Sequence, residues 1–136
     1  MKPFVHAKNS VRRYGGVPED YIAIHDFFDS TKAAWADVRH RAVLHSSFGI
    51  YLVEKVFGTT ITNSDGKQVS VRDIGEDHVV EDCGMIPTIE KWLSNLPVED
   101  WMLSKGQGTF IKRTQIPLEP ETPKLKTMNL DTIIVD

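Results

Sequence analysis

The sequence predicts a mainly α-helical fold: a compact helical domain with one β-hairpin over residues 1–104, then an extended C-terminal arm over 105–136. Three observations predict it. Apolar residues recur at three- and four-residue steps between Tyr21 and Val56, and again from Ile89 to Leu96. One pair of β-branched arms flanks an Asp65-Gly66 turn. Pro117, Pro120 and Pro123 then fall every third residue among charges, a pattern that favours extended polyproline-like chain.

The elements follow in order. The first seventeen residues read as irregular, closing on the turn Tyr14-Gly15-Gly16-Val17-Pro18. Pro18 suits the first position of a helix, and Glu19 and Asp20 suit its positive end. Tyr21, Ile24 and Phe28 give that helix an apolar stripe, which fades near Ser30. Thr31 to Phe57 is the longest helical segment, with Trp35, Val38, Ala42, Leu44, Phe48, Leu52 and Val56 on its buried side. Asp37 can cap a restart within it, so one helix or two stays open, and Gly58 is a stop. Thr59 to Val71 reads as the hairpin. Asp73 to Cys83 is a carboxylate-rich helix ended by Gly84, Thr88 caps another, and Pro97 to Trp101 starts a short turn.

Composition narrows the function. A formal net charge of −3 argues against a strongly basic nucleic-acid binder, so nucleic acid is not an expected partner. Eight acidic residues and one basic residue lie between Asp73 and Asp100, against seven basic and five acidic between Lys2 and Arg41. Opposite signs on two regions predict that Arg39 or Arg41 pairs with a carboxylate of the Asp73–Asp82 segment. A lone cysteine, Cys83, excludes an internal disulfide and fits a reducing compartment. With no signal-like start and no apolar run of about 20 residues, the expectation is a cytoplasmic protein with no membrane contact.

The histidines carry the chemistry. His25 and Asp29, like His78 and Asp82, stand four apart, so each pair shares one helix face. Two such faces can supply four ligands to a divalent metal, with Zn, Mn or Fe suited to imidazole and carboxylate. The plainer reading is that each Asp bonds the His one turn away. Arg39, Arg41 and His45 are candidates to hold a phosphate or carboxylate, against the plainer reading of a solvated basic face. His25-Asp26 resembles the adjacent dyad of HD-domain phosphohydrolases, which would draft His6 or His40 and Asp82. Arg12-Arg13-Tyr14 with Lys8 could stack on or clamp a nucleotide, against the plainer reading of a surface segment anchored by Tyr14. The sequence has no P-loop, no Gly-x-Gly-x-x-Gly after a strand and no Gly-x-Ser-x-Gly elbow. Acidic neighbours discourage a reactive thiolate at Cys83.

Several stretches together resemble a family of short bacterial and phage proteins without an established activity. They are Ile24 to Asp29, Arg39 to Ala42 with His45 and Gly49, the Asn63 to Gly66 turn, and Gly75 to Thr88. The resemblance runs from about Val5 to Leu96. It implies a mostly helical domain in a bacterial or phage-infected cell and transfers no catalytic role.

The leading expectation is a His/carboxylate metal-binding helical domain. One step further, it is a small metal-dependent hydrolase of a phosphorylated or nucleotide substrate. The alternative is a non-catalytic assembly protein. Its β-prone end, Leu130 to Val135, would add a strand to a hairpin edge, making a homo-oligomer or protein complex through residues 117–136.

Overall fold

The computed structural model describes residues 1–103. Met1–Ser94 forms one unit, and a second begins at Asn95. The expected arm and its docking segment, 117–136, lie outside the described residues.

As expected, the described chain is mainly helical with a single antiparallel hairpin. Its helices are α1 (Pro3–Tyr14), α2 (Ile22–Phe28), α3 (Ser47–Phe57), α4 (Val71–Cys83), α5 (Ile89–Leu93) and α6 (Asp100–Leu103). Strands β1 (Thr60–Thr62) and β2 (Gln68–Ser70) pair with Ile61 opposite Val69. Among the described residues, no helix is long and apolar enough to cross a membrane.

The start of the chain corrects the sequence reading: it is α1, not irregular. Pro3 sits in its first turn, Arg12 and Arg13 suit its negative end, and Gly15 closes it at φ 87°. The inward face of α1 is His6, Ala7 and Ser10, which no search for apolar periodicity detects.

The long helix expected over Thr31–Phe57 is also corrected. Ser30–Ala33 and Val38–Arg41 are short 3-10 turns, and only α3 is α-helical. The Asp37 carboxylate takes the Arg39 amide at 2.9 Å and starts the second turn. The chain then folds tightly: Leu44 N–H donates to the Ala42 carbonyl at 3.0 Å around Val43, whose φ is +78°. That is a γ-turn of the rare, strained positive-φ form. Ser46 ends the irregular stretch by capping α3, its hydroxyl accepting from Gly49 N–H at 3.2 Å.

The helix expected from Pro18 is also corrected: Pro18–Asp20 is a separate 3-10 turn, and α2 begins at Ile22. The hairpin and the later helices follow the sequence signals. Gly66, at φ 82°, allows the hairpin turn. The buried Asn63 Oδ1 accepts from the Asp65 and Lys67 amides at 3.0 and 2.9 Å. Its amide donates to the Tyr14 carbonyl and the Tyr21 hydroxyl, both at 3.1 Å, so the hairpin is tied to α1 and to the residue before α2. Ser70 and Thr88 cap α4 and α5 through the Asp73 and Lys91 amides.

Helix α4 packs against α1, α2 and α3. The core between them holds Tyr21, Ile24, Phe28, Ile50, Val53, Val71, Ile74 and Val79. Two glycines permit close approaches, Gly75 of α4 to α2 and Gly49 of α3 to the segment before it. A Cβ on Gly75 would stand 3.1 Å from the Phe28 ring, and one on Gly49 would lie 1.7 Å from the Leu44 carbonyl oxygen. The second is a clash with main chain, which no rotamer relieves. Gly49→Ala is therefore expected to destabilise the fold by about 3 kcal/mol, measured by urea denaturation. A loss below about 1 kcal/mol would mean that the Leu44–Ser46 segment moves freely.

Candidate metal centre

Helices α2 and α4 each present one histidine–aspartate pair inward, His25 with Asp29 and His78 with Asp82. His6 enters from α1, His40 from the 3-10 turn Val38–Arg41, and His45 from the tight segment before α3. All five histidines are buried. The Asp29 and Asp82 side chains are 6% and 2% exposed.

Four of these residues converge. Ligand atoms of Asp29, His45, His78 and Asp82 all lie within 4.8 Å of one another. His45 Nε2 stands 3.6 Å from Asp29 Oδ1 and 3.0 Å from Asp82 Oδ2. His78 Nε2 stands 3.6 and 3.3 Å from the same two oxygens. A tetrahedral ion with bonds of about 2.0–2.1 Å sets its ligands about 3.3–3.4 Å apart, and these four separations bracket that edge. His45 Nε2 and Asp82 Oδ2 are hydrogen-bonded, and the other three pairs are close without being bonded. Both Asp29 oxygens and His78 Nε2 are buried without a hydrogen-bond partner, which is costly unless something else satisfies them.

A second group, His6, His25 and His78, also brings ligand nitrogens within 4.8 Å. Its rings lie nearly parallel, at 17° to 27°, so they stack more than they converge. Both nitrogens of His25 are engaged, Nδ1 with His78 Nδ1 at 2.9 Å and Nε2 with the Ser10 hydroxyl at 2.8 Å. His6 Nδ1 meets Glu81 at 2.6 Å, and its Nε2 lies 3.2 Å from Asp82 Oδ1. Glu81 is held in turn by Asn9 and Arg13 at 3.2 and 2.5 Å.

The electrostatics follow from burial set against this pairing. Burial pushes His25 down to about 3, and His78 and His6 add to the effect. Burial lowers His45 too, although the bond to Asp82 opposes it. For His78 burial acts downward as well, but Asp29 and Asp82 outweigh it and hold the imidazole above its ordinary value. Burial would raise Asp82, yet bonds to His45, His6 and His78 bring it far below the usual carboxylate range. Asp29 is lowered against its burial by His78 and His45.

Of the residues singled out from sequence, Asp29, His78 and Asp82 are thus brought together, and His25 stands behind His78. The three expected to hold an anion do not share one face. His45 joins the aspartates, and Arg41 lies 3.9 Å from Asp82 Oδ1, the pairing expected from the charge asymmetry. Arg39 instead bonds its neighbour Asp37 at 2.6 Å and lies over the Trp35 ring, on the surface. The HD-type reading is corrected: Asp26 is exposed, and the aspartate turned inward is Asp29, one helical turn on from His25. Sequence reasoning offers His6 only within the HD-type reading and misses Ser10 and Glu81. The available signal is the four-residue step from His6 to Ser10, which puts both on one face only if the segment is helical.

The fold and the cluster define a small helical domain with a buried His/Asp constellation that can hold a metal ion. The chain belongs to the family described as Domain of unknown function (DUF6915), whose model matches residues 1–102. No curated protein and no solved structure matches it.

The shifts set a pH dependence for the metal-free chain. Below about 6.5 an unfolded histidine takes up a proton, whereas folded His25 stays neutral down to about 3. The unfolded state then binds more protons, so stability falls with pH across that window, and His45 acts in the same sense. His78, being raised, contributes stability that is present below 6.5 and lost above it. Urea midpoints are expected to fall from pH 6.5 to 4, and His25→Asn should flatten the dependence by about one proton. An unchanged slope would remove His25 as the cause.

Proposed function

We propose that this domain binds one divalent metal ion, with Asp29, His45, His78 and Asp82 as its ligands. The observation that carries the reading is the set of four donor separations, 3.0 to 3.6 Å, among atoms that are buried and largely unbonded to each other. Charge agrees, because two carboxylates offset a divalent ion and leave the buried centre neutral. Zn, Mn or Fe suits two imidazoles and two carboxylates. His45 takes the position that sequence spacing gave to His25.

The surrounding contacts suit this assignment. If His78 binds through Nε2, its Nδ1 carries a proton and donates to His25 Nδ1. His25 then donates from Nε2 to Ser10, which fits an imidazole held neutral. A backing chain of this kind fixes the tautomer and orientation of a ligand.

Hydrolysis is the chemistry we attach to such an ion: a water entering as a fifth ligand beside the four protein donors would have its pKa lowered toward about 7. Arg41, beside Asp82 and partly exposed, is a cation able to meet an anionic group of a phosphorylated or nucleotide substrate.

The test is metal uptake by the full chain, followed by calorimetry and elemental analysis after stripping. One ion per chain is expected. At 100 times Kd the ion should raise stability by about 2.7 kcal/mol. Asp29→Asn and Asp82→Asn should each weaken uptake at least about tenfold, while Asp26→Asn should leave it unchanged. No uptake, or equal loss in all three variants, would sink the reading.

A further inference from the structure

The fifth histidine is unused so far. His40 Nδ1 lies 2.8 Å from the Asp37 carbonyl oxygen. A carbonyl only accepts, so Nδ1 carries the hydrogen and a neutral His40 has a bare lone pair at Nε2. The ring is fixed by its own turn: Asp37 takes the Arg39 amide, and the Thr31 hydroxyl donates to the His40 carbonyl.

Nε2 faces Asp29 Oδ1 at 3.5 Å, and that oxygen has no hydrogen-bond partner. Two acceptors therefore look across a gap that suits a hydrogen-bearing atom placed beside both. His40 is not in the group of four, so its place is next to the centre rather than within it. Its side chain is 8% exposed, while those of the other four imidazoles are fully buried, which puts it on the solvent side.

We propose that His40 flanks a fifth, exchangeable position beside the four protein donors: its Nε2 accepts a hydrogen bond from a protic molecule, water or a small O–H or N–H ligand, seated beside Asp29. This rests on the metal-binding reading above. It makes His40 a positioning residue that selects what occupies the open position, favouring ligands that bring a hydrogen next to their binding atom. An aprotic ligand seated there would cover this lone pair without giving it a hydrogen, which is the basis of the selection.

The experiment uses the full chain loaded with Co(II), whose visible spectrum reports its ligands. Two probes are titrated: acetohydroxamate, which brings an N–H, and azide, which brings no hydrogen. In His40→Ala the acetohydroxamate Kd should rise about five- to tenfold, with azide held within about twofold. His40→Gln, which restores an acceptor oxygen, should fall between and also serves if the alanine variant folds poorly. Equal shifts for both probes, or a shift for neither, would overturn the proposal. So would a wild-type spectrum that responds to neither probe, while leaving metal binding intact. Failure of the wild-type chain to take up Co(II) would instead remove the metal-binding reading and this inference with it.

Discussion

Two carboxylates, Asp29 and Asp82, stand within 4.8 Å of each other in the interior of a domain of about a hundred residues. Buried like charges at that range cannot both persist without compensation. The rest of the architecture answers this constraint. Three helices each turn a pair four residues apart inward: His6 and Ser10 on α1, His25 on α2 with Asp29 at its C-cap, and His78 and Asp82 on α4. Apolar packing surrounds them, with Phe28 stacked on His78 at 4.8 Å and edge-on to His45. The centre of this domain is polar, and its hydrophobic residues form the wall that keeps water from screening it.

How much of this could be read from sequence depended on where the backbone takes its instructions. The pairs on α2 and α4 were legible because helical spacing alone puts such residues on one face. The hairpin and the cap at Thr88 were legible because they depend on local chemistry. Helix α1 was not, since its inward side carries His6 and Ser10 where a pattern search looks for leucines. The stretch from Ser30 to Ser46 was not, because side chains reaching their own backbone override its helical periodicity. His45 reaches the aspartates only through the turn at Val43, and spacing could not have placed it.

That turn divides the cluster mechanically. His78 and Asp82 ride on a thirteen-residue helix, and Asp29 directly follows α2. His40 and His45 ride on short turns on either side of a β-branched residue at φ +78°. Strain of this kind costs on the order of 1–3 kcal/mol and persists only where neighbours over-determine it. Here the neighbours are named: Asp82 on His45, the Val43 carbonyl on the Ser46 hydroxyl, and the Pro87 carbonyl on the Ser47 amide. The centre thus has a stiff half and a half that is held under tension.

The tense half is also wired to an optical group. The indole N–H of Trp92, on α5, donates to the main-chain carbonyl of His45 at 2.8 Å. Trp92 is half-buried, whereas Trp35 and Trp101 are exposed. A change in the position of His45 must lengthen, bend or break that bond, altering the polarity felt by one tryptophan while the other two stay in water. The chain therefore carries its own fluorescent reporter of the His/Asp cluster, readable in the unlabelled protein at wavelengths where neither histidine nor aspartate absorbs.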